Sequence, residues 1–408
     1  MLTTHAVAGL VVAAGLLAQV VRPVAPDLGP APPAERWFDA SYLGLADAYN
    51  TPRYAVGVVA LALAVLVPCA AAGTRPGRGV TDRLVAAVGD RRPGRAAAVV
   101  VAVVVAATDV ARIPLAFWVG YLHEGAYGLR TQGVGGWAYD WVVGHVPGWL
   151  AAAGLALVGY PLARRLPRAW PAVGGLGAAA AWALVVFAGP VVLEPLWLRT
   201  WPLPPGPVRG EVQRVLDGAG VRVEAILVAD ASRRTTRQNA YLSGLGATRR
   251  VVLFDTLVQG RSPQEVGLVL AHELGHQRNA DIGRAAMLAA AGAVATAYAL
   301  AGLTRARVRW GRQATPAAPR CAALLVAAVA VLSVASLPAQ ALVSRRAEAA
   351  ADLAALELTG DPQTYLALQR SLARVNLADP APPRWAYLLW WTHPPATARL
   401  ELGERWDR

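Results

Sequence analysis

Long apolar segments alternate with shorter polar ones along most of the chain. A helix needs about 20 apolar residues to cross the hydrocarbon core of a bilayer. Seven segments meet or approach that length, and we predict a membrane-spanning helix in each: 5–21, 54–72, 96–122, 148–163, 172–193, 285–303 and 321–343. The pattern therefore predicts a mostly α-helical, multi-pass membrane protein.

Two polar segments have a mixed pattern and are separated by the last two predicted spans. In the first, "VRVEAILVAD" and "RRVVLFDTLV" resemble strands, and "YLSGLG" between them carries turn glycines. Ser262-Pro263-Gln264-Glu265 then predicts a helix start, with serine as the N-cap and glutamate closing a capping box. Each segment is short for an independent domain, so we expect the two to form one small α+β domain.

The predicted organisation divides the chain into four parts. They are five spans in 1–198, the first part of the α+β domain in 199–284, two spans in 285–343, and the second part of that domain in 344–408.

Composition supports a membrane protein of bacterial origin. Charged residues make up 16% of the chain, against roughly 25% in an ordinary soluble protein. The net charge of +13 comes from arginine alone, because the chain has no lysine. Arginines in membrane proteins bind anionic headgroups, so we expect lipids and not nucleic acid as partners. The heavy use of alanine, glycine, proline and valine indicates a GC-rich bacterial genome and hence a bacterial plasma membrane.

Arginines are concentrated in loops that seven spans would place on one side of the membrane. They follow the second, fourth and sixth spans: Arg75, Arg78, Arg83, Arg91, Arg92, Arg95, Arg164, Arg165, Arg168, Arg305, Arg307, Arg309 and Arg312. The positive-inside rule predicts that this side faces the cytoplasm. The two polar segments would then lie on the opposite side.

The stretch "LVLAHELGHQRNAD", residues 268–281, carries the main candidate chemistry. His272 and His276 are four residues apart, so on a helix they share one face and can direct two imidazole nitrogens at one metal ion. Glu273 flanks that face, where it can act as a base on a metal-activated water. The alternative is a polar helix face. Because the chain has only six histidines, a chance match has a probability of roughly one in a hundred at most.

A third ligand is expected because catalytic zinc binds three protein groups and leaves one position open. "LVSRRAEAAADLAALELTG", directly after the last span, supplies Glu348. Asp352 lies four residues further on the same face and suits a role in accepting a hydrogen bond from a ligand histidine. The alternative is a solvated helical face on which Arg345 and Arg346 neutralise these acids.

Several motifs in order resemble the M48 metallopeptidases, and within them the Ste24-type CAAX prenyl proteases. They are "YLHEGAYGLRTQ", "QNAYLSGLGATRRVVLFDTLV", "LVLAHELGH", "SRRAEAAAD" and "WWTHPPATARL". The resemblance implies a seven-span protease with a zincin-like catalytic domain and one Zn²⁺ per chain. It also implies a cytoplasmic active site and peptide or protein substrates, including lipidated ones.

The resemblance also implies roles for five further residues. Asn239, Ala240 and Tyr241 would form an edge strand that holds the substrate backbone by strand addition. His393 would stabilise the oxyanion, and Arg399 would tie the C-terminal tail to the zinc-binding part. On the residues alone, Asn239 could instead cap a turn and His393 could be an exposed loop residue.

Two further groups of residues have open roles. Asp109 and Arg112 lie in the third span, where they could line a polar chamber or form a local ion pair. Trp385, Trp390 and Trp391 could be interfacial anchors or could grip a lipidated substrate.

The leading hypothesis is an integral-membrane zinc metalloendopeptidase in which Glu273 is the base. The alternatives are a quality-control protease of the HtpX type, a sensor protease, and a catalytically inactive membrane scaffold with the same fold. A transporter would be expected to contain internal repeats, and we find none in the sequence.

Overall fold

A computed structural model of the protein describes residues 33–89, 91–192, 194–244, 248–309 and 318–406. The first predicted span, at 5–21, lies outside these residues. The helices, in chain order, are α1 (Ala40–Gly73), α2 (Arg75–Val88), α3 (Pro93–Phe117), α4 (Val134–Arg165), α5 (Trp170–Val192), α6 (Glu194–Trp197), α7 (Pro207–Gly218), α8 (Asp255–Gly260), α9 (Pro263–Arg278), α10 (Asp281–Arg309), α11 (Ala322–Thr359), α12 (Pro362–Val375), α13 (Arg384–Trp390) and α14 (Ala396–Trp406).

Six helices in the described part of the chain are long and apolar enough to cross a membrane. They are α1, α3, α4, α5, α10 and α11, and they confirm the second to seventh predicted spans. Most are longer than the apolar segments predicted. Thus α1 begins at Ala40, and α11 continues beyond its apolar part to Thr359. Alanine-rich polar segments keep a high helix propensity, so the helix does not stop where the apolar pattern does.

The membrane helices pack as a bundle around α3. This helix lies against α1 and α4, and it continues through a π-helical turn at Trp118–His123. On the other side of the bundle α10 packs along α5. The short amphipathic α2 lies against α1 and α3, with Thr81 and Val85 buried.

A four-stranded mixed sheet forms the centre of the polar part. Its strands are β1 (Thr200–Pro202), β2 (Ala225–Ala229), β3 (Ala240–Ser243) and β4 (Arg250–Phe254), in the order β1-β2-β4-β3. The central pair β2 and β4 is parallel, and both edge strands are antiparallel to their neighbours. Helices α7 and α9 cover the sheet with a buried core that includes Val212, Leu253 and Leu270.

The expected edge strand is β3, in which Ala240 to Ser243 pair in register with Leu253 to Arg250 of β4, and the turn follows at Gly244. One bound of the predicted strands is wrong. The second predicted strand ends at Phe254, and the following residues form α8.

The two polar segments lie together in space. Helix α9 of the first packs along α11, which leads into the second, and α12 packs against α14. The segment before α1 joins them, since the indole of Trp37 donates to Glu404 at 3.1 Å.

Candidate active site

The capping box predicted at Ser262 fixes the start of α9. The backbone N–H of Ser262 donates to Oε2 of Glu265 at 3.0 Å, and the backbone N–H of Glu265 donates to Oγ of Ser262 at 3.3 Å. Pro263 occupies the first turn, where its missing N–H costs nothing. The helix that carries His272 and His276 therefore begins at a defined residue.

A close approach of α9 to α11 brings the histidines to Glu348. At Gly275 a Cβ atom would lie 2.8 Å from Cα and 2.9 Å from the carbonyl oxygen of Ala351. Glycine at this position therefore lets the two helix backbones come nearer than any other residue would allow.

His272, His276 and Glu348 direct their ligand atoms at one point. Nε2 of His272 lies 3.3 Å from Oε2 of Glu348, and Nε2 of His276 lies 3.5 Å from Oε1 of the same carboxylate. The three ligand atoms all lie within 4.8 Å of one another. This is the set of two histidines and one carboxylate that binds zinc in several hydrolases.

The surroundings of Glu348 fit a bound cation. Its Oε2 is buried and has no hydrogen-bond donor among the described residues. A buried anionic oxygen without a partner is costly, and a divalent metal between the three ligands would compensate it.

Both histidines are oriented by carboxylates on their outer sides. Nδ1 of His272 lies 2.9 Å from Oδ1 of Asp352, and Nδ1 of His276 lies 2.9 Å from Oδ2 of Asp281. When Nδ1 donates to a carboxylate, Nε2 presents its lone pair to the metal side. Asp352 was predicted for this position, whereas Asp281 was not. Asp281 directly follows Ala280, whose φ of 55° lies in the turn between α9 and α10.

Arg399 contacts Asp352 and not the ligands themselves. Its Nε donates to Oδ2 of Asp352 at 2.8 Å, and its Nη2 donates to Oδ1 of the same carboxylate. Asp352 is fully buried, so this bidentate pair compensates a charge that water cannot reach. The contact links α14 to the histidine that Asp352 orients.

Glu273 lies beside the cluster, half-buried in the wall of the cavity described below. Its burial raises the pKa of the carboxyl above the ordinary 4.5, although the neighbouring His272 and His276 oppose the shift. A carboxylate with a raised pKa can take a proton from water and later release it to an amine near neutral pH.

His393 joins the cluster from the loop after α13. Its Nε2 lies 3.3 Å from Oε1 of Glu348, and its Nδ1 lies 3.0 Å from the hydroxyl of Thr392. The loop is anchored by Arg345, which the residue pattern alone predicts only as a surface partner of Glu348 and Asp352. The buried Nη1 of Arg345 donates to the carbonyls of Tyr387 and Trp391, each at 2.7 Å.

The three residues expected in the substrate strand lie at an edge of the sheet, in or next to β3. Asn239 lines the cavity, and its Oδ1 accepts from the backbone N–H of Ala240 at 2.9 Å. Ala240 is buried, and the ring of Tyr241 packs edge-on against Phe254 with centroids 6.4 Å apart.

A cavity of about 810 Å³ connects this cluster with the membrane helices. Its walls include residues of α1, α3 and α4, and it extends from Val119 in the π-helical turn to Asp109 on α3, about 15 Å at the helical rise. Asp109 and Arg112 both line it. Asp109 also accepts from the indole of Trp149 at 2.8 Å, and Nη1 of Arg112 lies 3.7 Å from its carboxylate.

Two of the three tryptophans near the site, Trp390 and Trp391, line the same cavity. Trp385 is exposed and packs edge-on against Tyr54 with centroids 5.9 Å apart. The cavity at the site is therefore lined by tryptophan side chains as well as by membrane helices.

Comparison with known proteins identifies relatives of this chain. The model of peptidase family M48 matches residues 202–406. An uncharacterized metalloprotease, YhfN of Bacillus subtilis, is 28% identical over 308 residues, which cover 73% of this chain and 71% of that protein. The CAAX prenyl protease 1 of Saccharomyces cerevisiae is 41% identical, but over 92 residues that cover 22% of this chain and 20% of that protein.

One solved structure shares the fold over nearly the whole chain. The crystal structure of S. mikatae Ste24p superposes with a TM-score of 0.75 at 18% identity, and the match covers 98% of both chains. The likeness therefore includes the membrane helices as well as the polar part.

Proposed function

The chain belongs to peptidase family M48, and from this membership we propose that it is a zinc-dependent metalloendopeptidase of the membrane. Family membership and the six apolar helices make it a membrane metalloprotease. The observation that carries the finer proposal is the convergence of His272, His276 and Glu348 within 4.8 Å, beside Glu273 in the cavity wall.

His272, His276 and Glu348 would hold one zinc ion, with the fourth position open to solvent in the cavity. When bound, zinc would lower the pKa of a water molecule and polarise the scissile carbonyl. Asp352 and Asp281 would keep the Nδ1 protons of the two histidines in place, so that both Nε2 atoms stay available.

Glu273 would take the proton of the attacking water and deliver it to the leaving amine. Its raised pKa suits both transfers, because the protonated form is accessible after the first one. His393 would donate a hydrogen bond to the carbonyl oxygen as that oxygen gains negative charge. Asn239 and the edge of β3 would hold the substrate backbone in an extended conformation.

We propose membrane-associated peptides or proteins as substrates. The cavity is lined by polar groups near the proposed zinc ligands and by apolar residues of α1 and α3. It therefore suits a substrate that has both a polar peptide part and an apolar part. Several relatives are named CAAX prenyl protease 1 or its homologue. Farnesylated CAAX peptides are therefore the first lipidated class to test, with Trp390 and Trp391 as contacts for the apolar group.

The expected location is a bacterial plasma membrane. The resemblance to Ste24-type proteases implies a cytoplasmic active site, and the loop arginines predict the opposite side. Labelling intact cells with a membrane-impermeant maleimide decides between them, with cysteine introduced at exposed Arg278 near the site or at exposed Arg78 in α2, among the arginines that follow α1. Labelling at position 78 alone supports the cytoplasmic site, and labelling at position 278 alone supports the external one.

Metal dependence tests the proposed function. Detergent-purified protein is assayed on a casein digest and on a farnesylated CAAX peptide before and after dialysis against a zinc chelator. We expect cleavage to disappear with the metal and to return when one equivalent of zinc is added. Full activity in the metal-free protein would refute the proposal, and absence of activity with zinc fully bound would favour an inactive scaffold.

A further inference from the structure

One buried glutamine faces the cavity close to the proposed zinc ligands. Gln369 lies on α12 and is only 5% exposed, and it lines the cavity. Its amide makes no hydrogen bond with any residue in the ranges that the structure describes, and neither amide atom is closed off from the cavity. A primary amide has two N–H donors and one acceptor oxygen. The full hydrogen-bonding capacity of Gln369 is therefore available to a molecule that enters the cavity.

The face of α12 that carries Gln369 forms one wall of the cavity. Leu372, Ala373 and Asn376 follow Gln369 by three, four and seven residues, so the four residues share one helix face. All four line the cavity. Gln369 is thus the first residue of a wall that runs along α12 to its C-terminal end.

Packing against the zinc-binding helix fixes the first end of this wall. Leu368, next to Gln369, belongs to one buried cluster with Leu268 of α9. Leu268 lies four residues, or about one helical turn, before His272, and both residues line the cavity. The amide of Gln369 therefore faces the cavity where it adjoins the first proposed zinc ligand.

The other end of the wall adjoins the expected substrate strand. The backbone N–H of Gln238 donates to Oδ1 of Asn376 at 3.3 Å. Arg261 donates through Nε to Oε1 of Gln238 and through Nη1 to Oγ of Ser371, each at 2.5 Å. A peptide that pairs antiparallel with β3 runs with its C-terminal part past Asn239 towards Gln238. The residue that directly follows the scissile bond therefore meets the wall formed by α12.

We propose that Gln369 lines the subsite for this residue of the substrate and selects a neutral amide side chain there. The inference rests on the proposed function and deepens it by naming a substrate class: peptides with asparagine or glutamine directly after the cleaved bond. An apolar side chain at this place would cover the amide of Gln369 without pairing it, and this loss favours the polar side chain. The peptide backbone presents the same amide chemistry, and the experiment distinguishes the two sources.

The test measures binding and needs no turnover. Two fluorescent peptide hydroxamates are titrated into the full-length, detergent-purified, zinc-loaded protein by fluorescence anisotropy. The hydroxamate occupies the open position on zinc, so the first side chain after it takes the place of the residue that follows the scissile bond. This side chain is that of asparagine in one compound and that of leucine, which has nearly the same shape, in the other. We expect the asparagine compound to bind about tenfold more tightly, which corresponds to about 1.4 kcal/mol.

Variants relate the preference to this one residue. Gln369→Met removes the amide with little change in volume and should bring the asparagine-to-leucine affinity ratio to one or below. Gln369→Asn keeps an amide on a shorter side chain and should retain part of the preference. Gln363→Met is the matched control, because it makes the same substitution at an exposed position of α12 outside the cavity lining. Each ratio comes from one preparation, so a lower folded fraction cancels.

The outcomes separate this inference from the proposed function. Tight binding of both compounds with a ratio near one, or an unchanged ratio in Gln369→Met, overturns the subsite and leaves the proposed protease standing. An equal loss of affinity for both compounds in Gln369→Met would assign the amide to the substrate backbone and overturn side-chain selection. A preference that Gln369→Met abolishes supports the subsite even if the wild type cleaves no peptide, and in that case the proposed activity fails. Binding of neither compound to the zinc-loaded protein overturns both.

Discussion

Nδ1 of His272 lies 2.9 Å from Oδ1 of Asp352, across the contact between α9 and α11. The carboxylate is fully buried and is itself held by Arg399. This arrangement selects one tautomer of the imidazole and one ring orientation. A ligand that is oriented before the metal arrives loses less entropy when it binds.

Loss of this carboxylate should weaken metal binding. We expect Asp352→Asn to lower zinc affinity by about ten- to a hundredfold, because the amide is a weaker acceptor and leaves Arg399 without its counter-charge. Competition with a chromophoric chelator measures the change. Glu357→Gln, on an exposed turn of the same helix, is the control and should bind zinc like the wild type. Equal affinity in all three proteins would show that Asp352 does not support the ligand.

Arg345 should act on catalysis through the loop that carries His393. Its bonds to the carbonyls of Tyr387 and Trp391 hold the end of α13 against α11. We expect Arg345→Met to lower kcat by about tenfold or more while zinc content stays at one per chain. Arg345→Lys, which retains a cation, should recover part of the rate. Arg346→Met changes the exposed neighbour and is the control. A change in KM alone would contradict this positioning role.

The close contact at Gly275 should make that position intolerant of a side chain. The Cβ of Gly275→Ala would lie 2.8 Å from Cα of Ala351, so the helices must move apart. We expect a loss of stability of about 1–3 kcal/mol and a lower zinc content. Thermal unfolding and metal analysis measure both. A Cβ added at Gly283 would have no heavy atom within 4 Å, so Gly283→Ala should leave stability unchanged or raise it. Equal behaviour of the two variants would exclude tight packing at Gly275.

The pH dependence of the reaction should reflect Glu273. Burial raises the pKa of this carboxyl above 4.5, so the group stays protonated to a higher pH than an ordinary glutamate. A protonated carboxyl cannot accept a proton from water, and kcat/KM should therefore fall as the pH decreases through a value above 4.5. An acid limb at or below 4.5 would indicate that Glu273 is not the base, provided that zinc remains bound across the range.

Local features of the site could be predicted because their geometry follows from spacing along one helix. His272 and His276 share a helix face, and the capping box at Ser262 depends on four consecutive residues. Glu348 was recognised from its place in an alanine-rich helix after the last span. The spans themselves follow from length and hydrophobicity.

Other features depend on segments that meet only in the folded chain. Asp281 contacts His276 because the backbone turns at Ala280, where φ is 55°. The residue types in this stretch do not predict that turn. Glu124 forms ion pairs with Arg53 and Arg237, and the three residues belong to three separate segments of the chain. No local sequence pattern predicts that they meet.

Peptide cleavage by the wild-type protein beside Glu273→Gln tests whether Glu273 is the base of a zinc-dependent protease. The substitution keeps all three zinc ligands and removes only the proton acceptor, so both proteins should bind one zinc ion. We predict that the wild type cuts a peptide substrate and that the variant is slower by at least about a hundredfold. Equal cleavage by two preparations with equal zinc content would refute the proposed mechanism, because Glu273 would then have no part in the reaction.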